Sequence, residues 1–203
     1  MAQKLRAITR ERLAFGAATR SFAQLAENGD AFLFRQWEGN ALAGLIDGLG
    51  HGAGAQNASQ TARHYLEEHF AEPLEDLFNG TSRACRATRG VVMALARFDL
   101  PRQTLTLASV GDIEIRLKDS PRHVCAVQRG VVGFNAPAAV VASHPWTPES
   151  LLVMHSDGLR SNWDWNHFRN DLPRQPNEIA QRLLAELAKI DDDATVIVVK
   201  GAA

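Results

Sequence analysis

The sequence predicts an α+β fold in which two packed, mainly antiparallel sheets are covered by helices. Three observations lead there. The order of periodic segments is strands, two helices, a run of mostly hairpin-connected strands, a long helix and a last strand. Alternating strand–helix–strand units are absent from that order, which disfavours a doubly wound parallel sheet. The strands number roughly nine or ten, and open sheets usually stay near four to six, so two sheets accommodate them better than one.

In chain order, Leu13 to Thr19 is small and apolar and reads as the first strand. The turn formers Asn28-Gly29-Asp30 precede an aromatic-rich strand, Ala31 to Trp37. Glu38-Gly39-Asn40 then turns the chain into the apolar run Ala41 to Ile46, which ends on Asp47 and closes a hairpin. With Asp30 opening one strand and Asp47 ending the next, both carboxylates fall at the same end of that hairpin. From Ala55 to Phe70, Ala58, Ala62, Leu66 and Phe70 recur at helical spacing, with Arg63, Glu67 and Glu68 on the polar face. Pro73 opens a second helix running towards Cys85. After Arg89-Gly90 the period changes, and Val91 to Phe98, Thr104 to Val110, Ile113 to Leu117 and Val124 to Gln128 read as strands. Val131 to Phe134 and Ala138 to Ser143 follow, then the strongly apolar strand Leu151 to His155, which ends at Ser156-Asp157-Gly158. A short helix is expected over Asn162 to Arg169. A longer one is expected over Glu178 to Ile190, with Ile179, Leu183, Leu187 and Ile190 on one stripe. Ala194 to Lys200 is the closing strand. No linker divides the chain, so residues 1–203 are expected to form one domain.

Bulk composition narrows the function. Lys plus Arg number 22 against 23 Asp plus Glu, so no charge excess points to nucleic acid or a membrane surface as the main partner. No apolar run approaches the ~20 residues that cross a bilayer, and Met1 to Arg12 lacks the continuous apolar stretch of a secretory signal. Cys85 and Cys125 lie far apart without metal-ligand spacing and read as buried thiols in a reducing compartment, which makes the cytoplasm the expected location.

The chemistry concentrates around Asp47-Gly48-Leu49-Gly50-His51-Gly52. Gly48 to Ala53 matches the dinucleotide pattern G-x-G-x-x-A after a strand and before a helix. However, the acids about 20 residues on, Glu67 and Glu68, fall inside a helix and not at the tip of a second parallel strand. Asp47 would also meet a pyrophosphate without a compensating cation. A metal reading gains from recurrence, because acids also mark strand ends at Asp30, at Asp157 and in the cluster Asp191-Asp192-Asp193. Hard cations such as Mg²⁺ and Mn²⁺ take oxygen ligands from several elements. Two of them roughly 3.5–4 Å apart can activate a water for attack on phosphorus. That chemistry needs no Ser/His/Asp triad, and none is evident.

The succession Asn28-Gly29-Asp30, Asp47 to Gly52, Ser109-Val110-Gly111-Asp112, Ser156-Asp157-Gly158-Leu159 and Asp192-Asp193-Ala194-Thr195 resembles the PPM-type metal-dependent Ser/Thr protein phosphatases. Within them it is most similar to the compact bacterial branch related to SpoIIE and RsbU. The resemblance implies a four-layer α/β-β/α sandwich, a cofactor pair of Mn²⁺ or Mg²⁺ ions and a standalone catalytic domain. It also implies phosphorylated STAS-domain and stressosome proteins as substrates. It makes Asp47 the ligand shared by both ions, with the Gly48 carbonyl on one of them, Asp30 on the ion nearer the N-terminal hairpin, and Asp157 and Asp192 on the other. Asp112 matches a position linked to a weaker third ion, or else serves its turn. His51 is either a proton donor to the leaving hydroxyl or a support for the glycine turn. Gly29 stands where many larger relatives carry a glutamate, and no arginine lies a few residues before Asp30 to meet the phosphate. The rival expectation is a catalytically silent relative that binds a signalling partner as a scaffold.

Overall fold

The computed structural model describes residues 12–120, 124–126 and 128–202. Its first half contains β1 (Arg12–Arg20), β2 (Asp30–Trp37), β3 (Asn40–Gly48), α1 (Ala53–His69) and α2 (Leu74–Ala84). There follow β4 (Val91–Asp99), β5 (Thr104–Val110), β6 (Glu114–Leu117), β7 (Val141–Pro145), β8 (Leu151–His155), α3 (Pro176–Leu187) and β9 (Ala194–Ala202). The strands form two antiparallel sheets, ordered β1-β9-β8-β6 and β2-β3-β4-β5-β7.

Three apolar layers hold these elements together. Ala43, Leu45, Phe98, Leu105, Met154 and Ile197 pack between the sheets. Leu42, Ile46, Ala58, Leu66 and Leu77 pack between the five-stranded sheet and α1 and α2. Val153, Val196, Val198, Ile179 and Leu183 pack between the four-stranded sheet and α3. The result is the α/β-β/α order of layers. Because β3 is buried on both faces, its sequence is a continuous apolar run instead of an alternating one. Helix ends follow local chemistry. Glu75 and Asp76 sit in the first turn of α2, where the dipole favours acids. At the start of α3 the Gln175 N–H donates to the Glu178 carboxylate at 3.2 Å. Among the described residues no helix is long and apolar enough to cross a membrane.

Several expectations give way after β5. Hairpins join β2 to β3 and β4 to β5, but β6, β7 and β8 then alternate between the sheets, so β6 pairs with β8 and not with β5. Residues 124–126 are not a strand, and Gln128 makes only an isolated bridge to Val110. The open edge of β5 is taken by β7, which lies a few residues beyond the expected Ala138 to Ser143. Val131 to Phe134 is a turn around Gly133, whose φ is 105°, and contributes only the Val132–Val91 bridge. Asn162 to Arg169 forms turns in place of a helix. The Asp164 carboxylate takes the N–H groups of Asn166 and His167 and competes with helical pairing. Helix α3 stops at Leu187 because Ala188 turns extended and Lys189 N–H donates to the Gly158 carbonyl at 2.8 Å, which leaves Ile190 exposed.

Candidate metal centre

The aspartates meet where one end of each sheet abuts the other. Asp30 and Asp47 are direct cross-strand partners on β2 and β3. Asp157 follows β8, and Asp192 lies just before β9, the strand paired with β8. Asp112 follows β5 at the same end of the five-stranded sheet, on the exposed rim. Charge crowding shows how close they are. Burial pushes the Asp47 carboxyl up to about 9, helped by repulsion from Asp30, Asp157, Asp192 and Asp112. Burial likewise pushes Asp30 up to about 7, against the pull of hydrogen bonds from Ser156 and Thr195. Asp157 is raised by burial and then by Asp192 and Asp112, while the Lys189 ammonium acts in the opposite direction.

Two glycines make the corners possible through close packing and not through turn geometry. A Cβ on Gly48 would stand 2.1 Å from the Ala55 carbonyl oxygen, and one on Gly158 would stand 1.8 Å from the Asp193 carbonyl oxygen. Neither has positive φ; the turning into α1 is done by Gly50 and Gly52, with φ of 83° and 70°. The guanidinium of Arg89 lies against this turn and donates to the His51 carbonyl at 3.3 Å.

The acidic cluster before β9 divides its work. Asp193 is buried and accepts the N–H groups of Phe22 at 2.8 Å and Gly29 at 2.9 Å, so both its oxygens are committed to the main chain. Asp192 remains beside Asp47 and Asp157. A Cβ on Gly29 would come within 2.8 Å of the Asp193 carboxylate, so this clasp accounts for glycine at that position. Ser156, also buried, donates its hydroxyl to Asp30 Oδ2 at 2.7 Å. Asp30 Oδ1 is buried with no hydrogen-bond partner.

These features suit a hard divalent cation. An unpartnered buried carboxylate oxygen and a set of mutually repelling carboxylates are what such an ion would relieve. Among the described residues no three His, Cys, Asp or Glu side chains already close round one point. A Mg²⁺ or Mn²⁺ ion that keeps several waters does not require such a cage.

The histidines stand apart from this chemistry. His51 is exposed, with its ring 5.3 Å from that of Phe22, and among the described residues no hydrogen bond joins its imidazole to an aspartate. His155 is buried; its Nδ1–H donates to the Ser156 carbonyl at 3.0 Å and its Nε2 accepts the Trp163 indole N–H at 3.2 Å. Burial pushes its pKa down to about 4 and keeps it neutral. Trp163 is core, packed on Trp165 and Phe168.

Sequence reasoning missed Ser156, Thr195, Asn28 and Lys189. Ser156 was within reach, because it immediately precedes Asp157 at a strand end. Asn28 acts locally, taking the Asp30 N–H two residues on, whereas Thr195 and Lys189 depend on contacts between distant segments.

The family model for Stage II sporulation protein E (SpoIIE) matches residues 38–201. The phosphoserine phosphatase RsbX of Bacillus subtilis (strain 168) is 23% identical over 172 residues, covering 83% of this chain and 85% of its own. A crystal structure of RsbX with magnesium superposes with a TM-score of 0.81 at 19% identity, covering 94% of this chain and 96% of that one. A chain from the bacterial stressosome, described as a modular system adapted to control secondary messenger signaling, gives 0.86 at 28% identity, covering 94% of this chain and all of that one. The catalytic domain of the serine/threonine phosphatase PstP with two manganese ions gives 0.74 at 18%, covering 94% and 99%. The layers and topology are thus those of the PPM phosphatase fold. With four-fifths of its length matched, the chain belongs to the SpoIIE family.

Proposed function

We infer that this chain is a metal-dependent protein phosphatase that hydrolyses phosphoserine or phosphothreonine on signalling proteins. One observation carries the reading: aspartates from both sheets repel one another across a single seam, and the buried Asp30 Oδ1 has no partner there. In this reading two Mn²⁺ or Mg²⁺ ions would share Asp47, and the Gly48 carbonyl would serve one of them. Asp30 would hold the ion on the five-stranded side, and Asp157 and Asp192 would hold the other. Asp112, at the rim, would serve a weaker third ion. When bound, the ions supply activation of a water for attack on phosphorus.

The chain's own residues set the ligand geometry. The close-packed glycines fix the two corners, Ser156 and Thr195 hold Asp30, and Lys189 offsets negative charge at Asp157. The buried Ser156 hydroxyl is committed to Asp30 and is no candidate nucleophile. His51, resting on Phe22, supports the turn.

The metal-bound RsbX and PstP structures, and the naming of RsbX as a phosphoserine phosphatase, support the choice of ion and reaction. The stressosome relative supports phosphorylated STAS-domain and other stressosome proteins as the substrate class. Two free cysteines, one of them buried, agree with a reducing cytoplasm. The test is incubation with phosphorylated STAS-domain proteins, with and without Mn²⁺. Phosphate release that requires Mn²⁺ and stops with chelator is expected. Release unchanged after exhaustive chelation would overturn the metal mechanism. Mn²⁺ binding with no release from any phosphoprotein would favour the silent scaffold.

A further inference from the structure

Ser156 occupies the point where the two sheets touch. Its main-chain N–H donates to the Thr195 carbonyl at 3.0 Å, and its Oγ accepts the Thr195 N–H at 3.0 Å. With a donor already on Oγ, the hydroxyl proton is directed at Asp30 Oδ2, 2.7 Å away. The Thr195 side chain also pulls the Asp30 carboxyl down, and Oδ1 has no hydrogen-bond partner. Behind them, Thr195 Oγ1 meets Thr19 Oγ1 at 2.7 Å, Asn28 donates to Thr19 Oγ1 at 2.8 Å, and Asn28 Oδ1 takes the Asp30 N–H at 2.9 Å. Main chain and side chain of Asp30 are therefore held by one connected network that spans both sheets.

We propose that Ser156 is a positioning residue that makes Asp30 a one-oxygen metal ligand. It ties Oδ2 to the corner that follows β8 and leaves Oδ1 alone to face the ion. The proposal rests on the metal reading above and adds to it the orientation of the ligand. Hydrogen-bonded carboxylates bind metals in a defined direction, and losing such a partner typically weakens metal affinity 10–100-fold. The same bond sets how the ligand from the five-stranded sheet sits relative to Asp157, which directly follows Ser156.

The experiment is calorimetric titration of Mn²⁺ into the metal-free full chain, comparing the parent with Ser156→Ala and Thr195→Val. Ser156→Ala is expected to weaken Mn²⁺ binding roughly 10–100-fold. Thr195→Val is expected to weaken it roughly fivefold or more, since it removes the hydroxyl that pulls on Asp30 and links it to Thr19 but keeps the main-chain N–H that orients Ser156. Turnover of Ser156→Ala should recover when Mn²⁺ is raised. A merely structural serine would lower the unfolding temperature and leave the affinity of the folded protein unchanged. Should Ser156→Ala fail to fold, Thr195→Val decides alone. Mn²⁺ affinity within about twofold of the parent in the deciding variant overturns the proposal. A parent chain that binds no Mn²⁺ overturns the metal reading itself, so the two failures are distinguishable.

Discussion

The two Asp-Gly corners, Asp47-Gly48 and Asp157-Gly158, share a sequence signature and a packing rule but not an electrostatic environment. In each the glycine admits a main-chain carbonyl where a Cβ would collide, Ala55 in one and Asp193 in the other. Asp47 is then half-buried among four other carboxylates that push it up. Asp157 is more exposed and faces Lys189. The same dipeptide thus builds a corner that is strained when charged and a corner that tolerates charge. Burial decides between them, because desolvation is the largest cause of the shift at both. The Asp47 corner is where a bound cation would relieve most, and the Asp157 corner is open to solvent.

The largest effect should come from charge removal at the buried corner. Asp47→Asn is expected to lower turnover of a phosphoprotein roughly 10³-fold or more, as for other essential catalytic groups, and Asp157→Asn by clearly less. Equal losses in steady-state assays would erase the distinction between the corners. Next in size, alanine at Gly48 or Gly158 forces a Cβ onto main chain. Such overpacking costs about 3 kcal/mol, a fall in melting temperature of roughly 6–12 °C for a chain of this size. The Gly158→Ala fall should be the larger, since its contact is the closer. A shift under about 2 °C in either variant, measured calorimetrically, would mean that the carbonyl moves aside freely.

A smaller effect appears in the metal-free protein. Asp30 and Asp47 titrate above their ordinary value of 3.8, so the folded state holds protons that the unfolded chain has released. Their contribution is therefore least unfavourable in acid. Stability falls as pH rises from near 4 through about 7 for Asp30 and about 9 for Asp47. Buried His155, pushed down to about 4, has the opposite slope: stability is lost as pH drops from 6.5 towards 4. Comparing metal-free Asp47→Asn with the parent cancels the His155 contribution. The melting-temperature advantage of the variant should grow by a few degrees between about pH 5 and pH 9, and a gap independent of pH would contradict the strain assigned to Asp47. Smallest of all, His51→Ala is expected to change turnover of a phosphoprotein and of an aryl phosphate by less than about threefold. A loss confined to the phosphoprotein would make His51 a proton donor after all.

What was legible in the sequence were features governed by local rules. The Asp30–Asp47 pairing follows from a short hairpin, α1 from its Ala58-Ala62-Leu66 spacing, and the sandwich from the number and order of strands. The failures lie where distant contacts win. Nothing near Glu114 announces that β6 leaves β5 for the other sheet, and Asp164 captures the N–H groups that a helix over Asn162 to Arg169 would use. At the site, the acids could be read as recurrent strand ends. The separate duties of Asp192 and Asp193 could not, because Asp193 is defined by its grip on Phe22 and Gly29, more than 160 residues away. Gly29 looked like a missing glutamate in the sequence; in the fold it leaves room for that grip.

Crystals soaked in Mn²⁺ and measured at its absorption edge test the central claim most directly, because anomalous scattering locates the ions without reference to turnover. Two peaks are expected in the seam between the sheets, roughly 3.5–4 Å apart. Asp47 should contact both, Asp30 should reach one through Oδ1, and Asp157 and Asp192 should bind the other. Manganese elsewhere on the chain, or in the seam but out of reach of Asp47, would contradict the account.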